Sequence, residues 1–230
     1  MTSPYLLFAG IGMMLVGILP VIYWWRKDVK LKYFLFGALT WAAAIGVKVL
    51  MDFTPLNDFL MRKFTISTFI IIFGIYVGLR TGILENGFTY VVSKKIEMNF
   101  KDAVGFGIGF GGCEALILGI FSFVSVLNLI LTKASTYEDP SILFAPIIER
   151  LFVLFGHIFS CVLVIYSVKT KKIRYFLYSI IYKSLIDGII PWMQHNIPQT
   201  AKGVYMMEIP VVIFGIIGLI GIIKLKEVME

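Results

Sequence analysis

Apolar runs close to twenty residues long recur along this chain, separated by short segments that collect lysine and arginine. A helix needs about 20 apolar residues to cross the ~30 Å hydrocarbon core of a bilayer. The runs predict seven helices, at roughly 4–25, 33–51, 64–92, 103–132, 142–167, 175–194 and 209–225. The third to fifth, at about 26–30 residues, must tilt, kink or protrude. No ten-residue alternation repeats, which argues against a β-barrel. The longest polar stretch, about 194–208, is too short for a soluble domain. The expected fold is all-α: a polytopic, multi-pass transmembrane helix bundle in the cell membrane, one domain over 1–230 with the lipid bilayer as its surroundings. The first run is not read as a cleavable signal, because residues 1–7 carry no positive charge and the basic residues come after it.

Composition agrees. Of 230 residues, 59% are hydrophobic and 15% charged, below the ~25% charged of soluble domains. The net charge of +7 could suggest nucleic acid, but its distribution does not. Thirteen basic residues follow the first, third, fifth and seventh runs, and four lie in the opposite loops. Lysine and arginine mark cytoplasmic loops. The bias predicts an outside N-terminus and a cytoplasmic C-terminus, with no nucleic-acid partner.

Four of the runs carry ionisable residues deep in apolar sequence: Arg80 and Glu85; Glu114; Glu149, Arg150 and His157; Lys183 and Asp187. A charge at the centre of a spanning helix costs ~2.5–3.5 kcal/mol, so eight such residues facing lipid would cost about 24 kcal/mol. These groups are therefore expected to face one another, and their meeting place is the default functional site. Arg150 and His157, seven apart, share a helical face, whereas Glu149 and Arg150 diverge by about 100° and should each seek a partner on another helix. Lys183 and Asp187 stand at i, i+4 and could pair with each other. His157 could also be a satisfied core histidine.

The remaining signals are weaker. Residues 107–112 match G-x-G-x-x-G, but no strand precedes them and they lie in an apolar span, so they are no nucleotide fingerprint. Gly105, Gly109, Gly112 and Gly119 instead share one helical face, where small residues admit a neighbouring helix. Pro146 and Pro191 could kink their helices and admit water. Cys113 and Cys161 read as small core residues. No H-E-x-x-H occurs, and His157 is the single histidine inside a span, while a catalytic zinc takes three protein ligands. The residues single out no metal set, and the cofactor stays unassigned.

The stretches GILENGFTYVVSKK (82–95), FKDAVGFGIGFGGCEALILG (100–119) and IIERLFVLFGHIFSCVLVIYSVKTKKIRYFLYSIIYKSLIDGI (147–189) resemble the YhfC-type membrane peptidases. These are relatives of the PrsW and CAAX-protease/bacteriocin-processing intramembrane proteases. The resemblance implies a Glu-Glu-x-x-Arg motif, a Gly-His-Gly-Gly-x-Glu-Ala motif, a Glu-Arg pair with a downstream histidine, and a late His-x-x-x-Asp. Glu85, Glu114, Glu149, Arg150, His157 and Asp187 match that pattern. Asn86 stands in place of the second glutamate, Thr89 of the arginine, Phe110 of the glycine-motif histidine and Lys183 of the late histidine.

The resemblance implies that Glu85 activates a water against a peptide bond of a membrane-embedded or lipidated substrate, with His157 as partner. Glu114, Glu149 and Asp187 complete the catalytic set, and Arg80, Asn86, Arg150 and Lys183 the surrounding polar centre. The altered positions leave a second reading, a catalytically silent relative that binds membrane peptides. A third is a small-solute transporter, since midplane charges also mark transport pathways.

Overall fold

The computed structural model describes residues 4–54, 62–133 and 140–230; Met1 to Ser3, part of the segment weighed as a signal, lie outside it. Seven long helices follow one another among the described residues: α1 Leu7–Trp25, α2 Leu31–Asp52, α3 Ile66–Ser93, α4 Phe100–Leu131, α5 Ala145–Thr170, α6 Ile173–Asn196 and α7 Ala201–Met229. Short 3-10 turns precede α1 (Pro4–Leu6) and α5 (Pro140–Phe144). Six of the seven helices are long and apolar enough to cross a membrane.

The other long helix, α6, carries Lys183, Asp187 and two further polar ends, yet it runs antiparallel along α3. Gly74 meets Gly188, Gly78 meets Ser184, Gly82 meets Ile180, and the Tyr90 and Phe176 rings lie 4.7 Å apart. Side-chain bulk at those glycines would strike α6 backbone, so their absence sets the close approach. Meanwhile α5 and α7 run parallel, with Gly215, Gly218 and Gly221 facing Phe152, Phe155 and Phe159. Only an α6 that returns across the bundle joins two parallel neighbours.

The glycines of α4 serve packing, as their spacing predicts, though they receive two partners. Gly112 and Gly119 meet Gly17 and Gly10 of α1, while Gly109 lies on the Phe34 backbone of α2. The first half of α4 is enclosed on all sides, with Ala103 and Phe106 fully buried. Around it a core of Val29, Phe34, Met98, Phe100, Val162 and Leu225 fills the end of the bundle that carries the basic loops. The site lies at mid-bundle, and its cavity extends toward the opposite end.

Two helix boundaries depart from the sequence pattern. Pro146 lies in the first turn of α5 and begins that helix rather than kinking it, because a first-turn proline has no backbone N–H to lose. Helix α7 starts at Ala201, within the stretch expected to be a polar loop, because Thr200 caps it by accepting from the Gly203 N–H at 3.2 Å.

Candidate functional site

Five helices bring charge to one place near mid-bundle. Helix α2 supplies Trp41 and Lys48, α3 Glu85, α4 Glu114, α5 Glu149, Arg150 and His157, and α6 Lys183. Glu85, His157 and Lys183 are 3%, 2% and 4% exposed, so their polar atoms must satisfy one another.

Glu85 accepts from Lys48 Nζ at Oε1 (2.5 Å), and Lys183 Nζ lies 3.0 Å from Oε2. Glu114 receives Arg150 at Oε1 (2.5 Å) and the Trp41 indole N–H at Oε2 (2.9 Å). His157 joins the two carboxylates: Nε2 lies 3.0 Å from Glu114 Oε2, and Nδ1 lies 3.2 Å from Lys183 Nζ and 3.8 Å from Glu85 Oε2. Nε2 faces the Glu114 carboxylate, while Lys183 Nζ, which is also 3.5 Å from Nε2, lies over the face of the ring. The remaining fork of Arg150 holds Glu149. Glu85, Glu114 and Glu149 are thus balanced by Lys48, Arg150 and Lys183, which offsets the desolvation that buried charges suffer.

Local sequence positions these groups. At Gly111 an added Cβ would stand 2.9 Å from His157 Cβ, so glycine there lets α5 close on α4. At Gly82 it would collide with Ser184, so glycine there brings α6 near enough for Lys183 to reach Glu85. The Phe110 ring lies 5.2 Å from the His157 ring and covers it with an apolar face. Asn86 donates to the Gly82 and Ser179 carbonyls and accepts from Ser160 Oγ at 2.5 Å, tying α3 to α5 and α6 behind the site. Thr89 donates to the Glu85 carbonyl.

The other expected residues fall as follows. Glu149 and Arg150 pair with each other despite their divergence along the helix, because the guanidinium fork reaches both Glu149 and Glu114. Lys183 turns to Glu85 and His157 rather than to Asp187. Asp187 lines the cavity and closes no ion pair among the described residues. Arg80 stands apart, paired with Asp52 near the end of α2. Lys48 and Trp41 join the site without having been singled out by the sequence. Lys48 carried the signal, a cation inside an apolar span, whereas nothing marks an indole N–H as a carboxylate donor until the fold brings it there.

A cavity of about 580 Å3 opens beside these groups, toward the end of the bundle away from the basic loops. Lys48, Glu85, Glu114, Glu149, Arg150, His157, Lys183 and Asp187 line it, and its other walls are mostly apolar, among them Ile45, Phe73, Phe121, Ile190 and Phe214. Concave, apolar space with a few convergent polar groups is the usual form of a ligand site. Among the described residues, no three of His, Cys, Asp and Glu stand in an arrangement that holds a metal.

Comparison with known proteins agrees with this architecture. The family model described as YhfC intramembrane metalloprotease matches residues 12–143 and 131–213. The chain is 26% identical over 246 aligned residues to a Bacillus subtilis (strain 168) protein described as uncharacterized membrane protein YhfC, covering 93% of each. No solved structure matches. A match over most of its length, on a bundle that gathers its buried charges around one cavity, shows that this chain belongs to the YhfC intramembrane metalloprotease family.

Proposed function

We propose that this chain is a single membrane domain that hydrolyses a peptide bond of a membrane-embedded or lipidated peptide, with Glu85 as general base and His157 as its partner. The observation that carries this reading is the state of Glu85 Oε2. It is buried at the cavity, 3.8 Å from His157 Nδ1, and accepts no aligned hydrogen bond among the described residues. With the Lys183 ammonium 3.0 Å away but not aligned on it, this oxygen keeps a lone pair to take a proton from a water beside it.

The chemistry then runs on the chain's own groups. The water gives its proton to Glu85 as its oxygen adds to the peptide carbonyl carbon. The oxyanion so formed is stabilised by the nearby cationic donors of the site. Glu85 returns the proton to the leaving nitrogen as the C–N bond breaks. Glu114 fixes the His157 ring through Nε2, and Trp41 and Arg150 hold Glu114 in turn. The apolar walls fit a hydrophobic peptide segment. With the basic loops on the cytoplasmic side and the N-terminus outside, the cavity lies in the outer half of the bilayer.

One observation favours a second reading, a silent peptide-binding relative. Both Glu85 oxygens have an ammonium group beside them, Lys48 and Lys183. Reconstitution with labelled transmembrane peptides separates the two. Cleavage that falls at least ~100-fold in Glu85→Gln supports the peptidase. Equal cleavage by wild type and Glu85→Gln removes the assignment, and peptide binding without cleavage establishes the silent reading.

A further inference from the structure

The family description implies a metal, and the surroundings of His157 test whether one fits. A catalytic zinc takes three protein ligands, with oxygen and nitrogen donors at about 2.0–2.2 Å. Glu85, Glu114 and His157 are the nearest candidates, but they do not converge. Glu114 Oε2 lies at the Nε2 side of the imidazole and Glu85 Oε2 at the Nδ1 side. One ion cannot take both carboxylates through a single ring nitrogen.

The Nδ1 side is also occupied. Lys183 Nζ lies 3.0 Å from Glu85 Oε2 and 3.2 Å from His157 Nδ1, and those two acceptors are 3.8 Å apart. An ion bound by both would stand beside the ammonium, which lies over the ring, and face its charge at close range. Phe110 over the ring supplies no ligand. Three carboxylates already meet three cations and Asp187 adds one further negative charge to the lining, so a divalent ion would overshoot the balance by one positive charge. The residues present do not fit a metal.

We propose that the Lys183 ammonium holds the cation position between Glu85 and His157, as a built-in charge where a metal would otherwise stand. An ammonium is a compact point charge with three donors. Here it lies beside Glu85 Oε2 and over the His157 ring without an aligned bond to Oε2, which leaves a donor for a carbonyl oxygen in the cavity that Lys183 lines. Its action on a carbonyl rests on the peptidase reading, while its place as the cation rests on the geometry alone.

The test is the zinc content of the purified full-length protein in detergent, incubated with zinc sulfate, desalted and measured by elemental mass spectrometry. Wild type is expected to hold no stoichiometric zinc. Lys183→His puts an imidazole beside Glu85 and His157, completing three ligands, and is expected to retain about one ion per chain. Adding His157→Ala to that variant should release the ion. A wild-type chain that keeps about one zinc, lost in His157→Ala, overturns the proposal. So does equal zinc retention by wild type and Lys183→His. If Lys183→His does not fold, the wild-type comparison with His157→Ala decides.

Peptide cleavage with a chelator is followed in parallel. Cleavage that survives the chelator supports the proposal. Cleavage abolished by the chelator and restored by zinc overturns it and keeps the peptidase reading. No cleavage, with no zinc in wild type and one in Lys183→His, removes the peptidase reading and supports Lys183 as the cation.

Discussion

Lys183 Nζ lies 3.0 Å from Glu85 Oε2, joining α6 to α3 at a depth where neither charge could face lipid. The contact depends on glycine. Gly78 and Gly82 on α3 bring α6 close enough that the lysine reaches across, and the same ammonium then meets His157 on α5. Three helices are tied by one side chain, and the remaining charges of the site arrange themselves around that tie.

Close packing of α4 should be as sensitive to a methyl group as the polar centre is to charge. At Gly109 a Cβ would run into the Phe34 backbone, whereas at Gly46 it would meet nothing within 4 Å. Gly109→Ala is expected to destabilise by about 1–3 kcal/mol or more through overpacking. Gly46→Ala should be neutral or stabilising by up to about 1 kcal/mol, since alanine favours the helix. Thermal unfolding in detergent compares them, and equal midpoints would contradict the packing described.

Trp41 holds Glu114 by one hydrogen bond while its ring packs in the core. Trp41→Phe keeps most of the ring and removes the donor. The expected loss is about 1 kcal/mol in stability, in line with hydrogen bonds between membrane helices. A larger fractional loss in peptide cleavage should accompany it, because Glu114 in turn holds His157. A Trp41→Phe protein that cleaves at the wild-type rate would show that this support is dispensable.

Lys48 and Asp52 lie on the same helix, yet their pairs differ in kind. Lys48 meets the buried Glu85, while Asp52 meets Arg80 with half its own side chain exposed. Lys48→Met should cost about 3–5 kcal/mol because it leaves a buried carboxylate with one partner fewer. Asp52→Asn should cost no more than about 1 kcal/mol and leave cleavage unchanged. Chemical denaturation in mixed micelles orders the two, and the reverse order would contradict the assignment of Lys48 to the centre.

Much of this architecture follows from local sequence. The apolar runs place the helices because length and hydropathy are properties of the segment itself, and Glu85, Glu114, Arg150, His157 and Lys183 announce themselves by the cost of a charge in an apolar run. Partner choice does not follow in the same way. That Lys183 turns to Glu85 rather than Asp187, that Arg80 leaves the cluster for Asp52, and that Arg150 bridges two glutamates depend on helix neighbours set by glycine contacts far away in sequence. Trp41 shows the same limit, since its role exists only once α2 lies beside α4.

The central claim is that the buried charges form one interdependent centre, and a double-mutant cycle between Glu85 and Lys183 tests it most directly. Unfolding free energies in detergent are measured for wild type, Glu85→Gln, Lys183→Met and the double variant. Each single change should cost about 3–5 kcal/mol by leaving its partner buried and under-compensated. The double variant should cost less than the sum of the two by about 1–3 kcal/mol, because removing both charges removes the orphan. Additive losses, to within about 0.5 kcal/mol, would show that the two residues do not act on each other and would contradict the account.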